Sequence, residues 1–128
     1  MRRILIVDAD SEQRHCLALG LRLADFAVFE ATTYERAVET LRTTKIDMVM
    51  IDLMIPGAQG LQLARESRDR FPGVDIVMTG GYSLSRGQLE RAGLDPSAFV
   101  AKPYSMSELS RFVGHRLGEI APPAQASC

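Results

Sequence analysis

Short apolar runs alternate with segments of helical period along this chain, and that alternation admits few folds. Ile4-Leu5-Ile6-Val7 and Met48-Val49-Met50-Ile51 are apolar at every position. A strand with one face in water alternates polar and apolar residues, so an unbroken run points to a strand covered on both faces, as in a parallel sheet. The predicted strands are 3–7, 27–31, 47–51, 75–78 and 98–101. Between them, Leu17, Leu21 and Ala24 share one face of a first predicted helix, Ala37, Val38 and Leu41 of a second, and Leu61, Leu63 and Ala64 of a third. Leu109, Phe112, Val113 and Leu117 do the same for the last. Strand and helix in alternation predict an α/β fold, a small doubly wound parallel sheet of five strands.

Capping-box spacings at Thr32 to Glu35, Ser85 to Gln88 and Ser105 to Glu108 mark helix starts. The fourth helix is predicted to be short, beginning no earlier than Gly87 and closed by Gly93. Residues 94–97 then form a connector to the last strand. The chain of 128 residues is large enough for one core without disulfides or metal staples. Residues 1–119 are therefore read as one domain, and 120–128, with too little apolar surface to pack, as a flexible tail or the start of a linker. Cys16, inside a helical pattern and read as core, and Cys128, at the last position, give neither a disulfide framework nor metal-ligand spacing.

A net charge of −1 provides no basic excess for gripping a phosphate backbone, which argues against direct nucleic-acid binding. Met1-Arg2-Arg3 and the apolar run after it imitate the start of a signal peptide, but Asp8 ends the run early, and no later stretch could span a bilayer. The expectation is a cytoplasmic protein without a membrane partner.

Polar groups stand where four of the apolar runs end. Asp8 and Asp10 follow the first, Asp52 the third, Thr79 the fourth and Lys102 the fifth. In a parallel sheet all of these open onto one carboxyl edge, where α/β proteins place their chemistry. Clustered carboxylates repel unless a hard cation sits among them, Mg²⁺ takes oxygen ligands, and Lys and Thr suit the oxygens of a phosphoryl group. Singly, an Asp after a strand is a helix cap and a Lys-Pro pair is a turn. The set is what points to a site.

With these pieces in view, the chain resembles the receiver domain of two-component response regulators from about Arg3 to Leu117. The resemblance is carried by Ile4-Leu5-Ile6-Val7-Asp8, Asp52-Leu53-Met54-Ile55-Pro56-Gly57 with Gly60 beyond, Met78-Thr79-Gly80 and Lys102-Pro103-Tyr104. It implies a flavodoxin-like fold of five strand-helix units in strand order 2-1-3-4-5. It implies Asp52 as phosphoacceptor, Thr79 and Lys102 as contacts of the phosphoryl oxygens, and Thr79 with Phe99 as the switch. Mg²⁺ would be held by Asp8, Asp52 and the main-chain oxygen of Met54. The partners implied are a histidine kinase or histidine phosphotransfer protein, and a downstream protein or second copy at the face of the fourth helix, fifth strand and fifth helix. Such a domain signals; it is not an enzyme, although it assists its own phosphorylation and dephosphorylation. Met54 and Gly81 stand at the positions that flank attacking water, and neither offers a side-chain carboxylate or amide, so slow loss of the phosphoryl group is expected.

One position departs from the family, which has two adjacent acids after the first strand; here the second is Ala9. Its absence removes a charge and an oxygen ligand, so Mg²⁺ is expected to bind weakly, with Asp10 either compensating or capping the first helix. Three functions remain open: a phosphorylatable receiver, a pseudo-receiver that keeps the fold as an interaction module, and a flavodoxin-like cofactor protein or small enzyme. The last lacks a Gly-rich phosphate loop and a strand-end His or Cys.

Overall fold

The computed structural model describes residues 1–53, 55, 59–81, 86–95 and 97–118. Elements alternate as β1 (Arg3–Val7), α1 (Ser11–Leu23), β2 (Ala27–Ala31), α2 (Tyr34–Thr43), β3 (Met48–Asp52), α3 (Gln59–Arg70), β4 (Asp75–Gly80), α4 (Arg86–Arg91), β5 (Phe99–Ala101) and α5 (Met106–Arg116). The strands form one parallel sheet in the order β2-β1-β3-β4-β5. The doubly wound, flavodoxin-like order expected from the sequence is thus the one observed.

The unbroken apolar strands explain the two-sided cover. Ile4, Ile6, Met48 and Met50 pack with Leu17, Leu21, Leu109 and Val113 on the α1–α5 side, whereas Leu5, Val7, Val49 and Ile51 pack with Leu41, Leu63 and Leu89 on the other. Alternate residues of one strand thus feed opposite cores, as a period of two requires. On the first side the helices approach closely: a Cβ on Gly20 of α1 would overlap the side chain of Met106 in α5.

Several boundaries moved, β3 and β5 each starting one residue later than predicted. β3 runs one residue beyond the predicted end because Asp52 stays in register with Thr79, and β4 runs on through Thr79 to Gly80. The cap of α2 is Thr33, whose side chain accepts from Arg36 N–H at 3.2 Å, not Thr32. Ser105 caps α5 as expected, accepting from Glu108 N–H at 3.2 Å. α4 starts at Arg86 and closes on Gly93 at φ 75°, with Leu94 N–H donating to the Leu89 carbonyl. Cys16 is half-buried rather than core, and it is disulfide-bonded, which corrects the expectation of a chain without a disulfide. The Ser85 cap and the tail 120–128 lie outside the described residues. No helix among the described residues is long and apolar enough to cross a membrane.

Candidate functional site

Strand register assembles the site. Asp52, last in β3, is paired with Thr79 of β4, and Leu53 N–H donates to the Thr79 carbonyl at 2.9 Å. Lys102 N–H donates to the Gly80 carbonyl at 2.7 Å, which carries the β4–β5 ladder one residue further and brings Lys102 to the same edge. Asp8 N–H donates to the Ala31 carbonyl at 3.1 Å, which fixes the first acid at the end of β1. Asp8, Asp52 and Thr79 are buried. Lys102 Nζ lies between the acids, donating to Asp8 Oδ2 at 3.0 Å and Asp52 Oδ2 at 3.4 Å.

The charges do not balance. Burial pushes the Asp8 carboxyl above its ordinary value, against the Asp10 N–H and the Lys102 ammonium, and the charge of Asp52 adds to the rise. Burial pulls Lys102 down, but its hydrogen bond to Asp8 and the charges of both acids outweigh that and leave it above its ordinary value. Tyr104, two residues on, is pushed up to about 12 by burial and then by the charges of Asp8 and Asp52. Two carboxylates against one ammonium form an oxygen donor set with charge to spare. This fits Mg²⁺, which commonly binds through one or two carboxylates and keeps several waters.

The model of the response regulator receiver domain matches residues 4–113. The chain belongs to that family. It is 31% identical over 127 residues to the phosphate regulon transcriptional regulatory protein PhoB of Escherichia coli, covering 96% of this chain and 55% of that one. It is 30% identical over 108 residues to the transcriptional regulatory protein ResD of Bacillus subtilis, covering 84% and 44%. The chain spans about half the length of these curated relatives. Among solved structures, the response regulator TrrA of Thermotoga maritima, in complex with Mg²⁺-BeF, superposes with a TM-score of 0.80 at 29% identity, covering 91% of this chain and 99% of that one. A CheY-like receiver domain protein of Methanospirillum hungatei gives 0.83 at 23% identity, covering 92% and 94%.

In this receiver domain the fold brings Asp8, Asp52, Thr79 and Lys102 together and leaves Asp10 out. Asp10 is the N-cap of α1: its Oδ1 accepts from Glu12 N–H at 3.0 Å and Gln13 N–H at 3.2 Å. Its Oδ1 is engaged at the helix start, as the cap reading expects, and its carboxylate is exposed. Ala9 is exposed at the rim. Met54 lies outside the described residues. Gly81 is exposed, with open space where a side chain would go. Phe99 is half-buried, and a methyl group on Gly80, next to Thr79, would lie 3.6 Å from its Cζ.

Sequence reasoning missed Arg14. It is buried on α1, and its Nη1 donates to the Asp8 carbonyl at 3.0 Å. A signal was present, because Arg14 falls on the helical face of Leu17, Ala18 and Leu21, where an arginine needs internal partners. Those partners are not neighbours in sequence.

Proposed function

We propose that Asp52 accepts a phosphoryl group from the phosphohistidine of a histidine kinase or histidine phosphotransfer protein. The observation that supports this reading is the Lys102 ammonium standing 3.0 Å from Asp8 and 3.4 Å from Asp52 at the carboxyl edge of the sheet, with Thr79 in register beside Asp52. A carboxylate oxygen of Asp52 attacks phosphorus in line, the bond to the histidine nitrogen breaks, and an acyl phosphate forms on Asp52. Lys102 offsets charge on the equatorial oxygens, and the Thr79 hydroxyl donates to one of them. Asp8 and Asp52 would hold Mg²⁺, with the main-chain oxygen of Met54 and waters completing the shell. When bound, the ion supplies positive charge against the phosphoryl oxygens.

A charge of about −1.5 to −2 then stands beside Thr79. Drawing the Thr79 hydroxyl toward it frees space next to Gly80, and the Phe99 ring, already close to that position, is placed to fill it. The face of α4, β5 and α5 changes in consequence, and a downstream protein or a second copy of the chain reads it. Met54 and Gly81 give attacking water no side-chain anchor, so the phosphoryl group persists.

The second reading, an interaction module without phosphorylation, is favoured by one observation: Ala9 stands where the family has an acid, while Asp10 is held in the α1 cap. Beryllofluoride with Mg²⁺ separates the two. Phosphorylation predicts shifts in the amide spectrum at Asp52, Thr79 and Phe99 that disappear in Asp52→Asn. An unchanged spectrum at millimolar Mg²⁺ would leave the interaction module as the function. Phosphotransfer profiling against histidine kinases then names the donor.

A further inference from the structure

Each backbone and side-chain polar atom of Asp8 has a partner. Its N–H donates to the Ala31 carbonyl at 3.1 Å, its Oδ1 accepts from Asp10 N–H at 2.9 Å, its Oδ2 accepts from Lys102 Nζ at 3.0 Å, and its carbonyl accepts from Arg14 Nη1 at 3.0 Å. The last of these is the least expected, because it buries a guanidinium in the first turns of α1. Arg14 Nε also donates to Glu30 Oε1 on β2 at 3.1 Å, and Glu30 Oε2 lies 3.5 Å from Arg22 Nη2. One planar group thus ties α1, β2 and the turn between β1 and α1. Its fork holds two acceptors in fixed directions, which a lysine ammonium does not do. Here the charged donor is aimed at the residue that faces Asp52, in a turn where Ala9 supplies no carboxylate and Asp10 is committed to the cap.

We propose that Arg14 is the positioning residue of this site: by holding the Asp8 carbonyl against Glu30 it fixes the turn at residues 8–10, and with it the direction of the Asp8 carboxylate. Its consequence for phosphorylation rests on the phosphoacceptor reading of Asp52. The positioning itself does not, and the two are measured separately.

Arg14→Met keeps the length and packing of the side chain and deletes the hydrogen bonds to the Asp8 carbonyl and Glu30, along with the 3.3 Å contact of Nη2 with His15 Nε2. In the metal-free full chain, the Asp10 amide, which donates to Asp8 Oδ1, should exchange at least about tenfold faster relative to the core amide of Val49. The Mg²⁺ concentration for half-saturation, read from amide shifts at residues 8–10, should rise by about tenfold or more, as removal of a partner that orients a metal ligand does elsewhere. Arg14→Lys should fall between, keeping the charge but not the fork. Arg14→Met combined with Glu30→Met removes the stranded carboxylate, so the same readouts are available if the single variant melts. A lowered melting temperature with unchanged relative Asp10 exchange and unchanged Mg²⁺ half-saturation would overturn the proposal, leaving Arg14 as packing. Phosphorylation by acetyl phosphate, with Asp52→Asn as control, tests the other reading: its absence in the native chain sinks phosphoacceptance, and Asp10 exchange still decides the role of Arg14.

Discussion

The hydroxyl of Tyr104 is buried without a hydrogen-bond partner, while its ring belongs to the core shared with Met106 and Leu109. A buried donor left unpaired costs about 1–3 kcal/mol, so Tyr104→Phe should stabilise the fold at pH 7 by about 1 kcal/mol in urea unfolding. A loss of that size instead would reveal a partner for the phenol. The pH dependence follows from the same burial. With a folded-state value near 12 and an ordinary value near 10, ionisation of Tyr104 favours the unfolded chain, so stability is unaffected by it below pH 10 and falls as pH rises toward 12. Tyr104→Phe should flatten that alkaline slope. At the rim of the site, Ala9→Asp adds an acid beside Asp8 and Asp52 and should lower the Mg²⁺ concentration for half-saturation about tenfold. It should also lower the melting temperature without metal, because three acids would then face one ammonium. Asp8, Asp52, Thr79 and Lys102 could be picked out of the sequence because each interrupts an apolar run, which needs no knowledge of contacts. Arg14 could not, since its acceptors lie 6 and 16 residues away and only folding brings them together. Asp10 was ambiguous for a related reason: a carboxylate after a strand suits a cap and a cation equally, and only the Glu12 and Gln13 amides decide between them.

Gly60 shows how an element positions the site. It is the second residue of α3, and a Cβ there would lie 2.9 Å from the Asp52 carbonyl oxygen and 3.0 Å from Leu53 Cα. Both neighbours are backbone, so no side chain can swing aside; either α3 or the end of β3 must move. Gly60→Ala should therefore cost about 1–3 kcal/mol, the range for overpacking, despite the better helix propensity of alanine. It should also shift the Asp52 amide resonance, whereas Gly73→Ala, where nothing lies within 4 Å, should leave that resonance in place. An unshifted Asp52 in Gly60→Ala would mean that α3 alone absorbs the displacement. Helix α3 itself was legible from Leu61, Leu63 and Ala64, but the close approach was not, because hydrophobic periodicity gives the buried face and not the distance at which it packs. The strand ends behaved likewise. β1 stopped where its apolar run stopped, while β3 and β4 ran on because Asp52 and Thr79 pair across the ladder despite their polarity. Thr33 replaced Thr32 as the cap of α2 because a cap needs only a hydroxyl that reaches the N–H three residues on, here that of Arg36, and not the Glu35 side chain that singled out Thr32.

At the scale of the molecule, two arginines brace opposite edges of one sheet. Arg14 works at the carboxyl edge. Arg116, in the last turn of α5, donates through Nε and Nη2 to the two carboxylate oxygens of Asp75 at 2.7 Å each and lies 3.5 Å from Asp95, so it ties α5 to the start of β4 and to the connector before β5. A bidentate, charge-assisted pair of this kind is among the stronger polar contacts. Arg116→Met should cost about 2 kcal/mol. It should also speed exchange of the Ala98 amide, which donates to the Asp95 carbonyl. A five-residue strand spans about 16 Å, and the two braces share no partner. Their effects should then add: Arg14→Met with Arg116→Met should unfold at the sum of the single losses within about 0.5 kcal/mol. The Mg²⁺ half-saturation of Arg116→Met should match that of the native chain. The alternative is specific, because β4 runs from Asp75 at one edge to Thr79 at the other and is the element through which the braces could communicate. A coupling energy above about 1 kcal/mol, or a shifted Mg²⁺ response in Arg116→Met alone, would mean that β4 moves as a rigid rod and that the connector before β5 senses the state of the carboxyl edge.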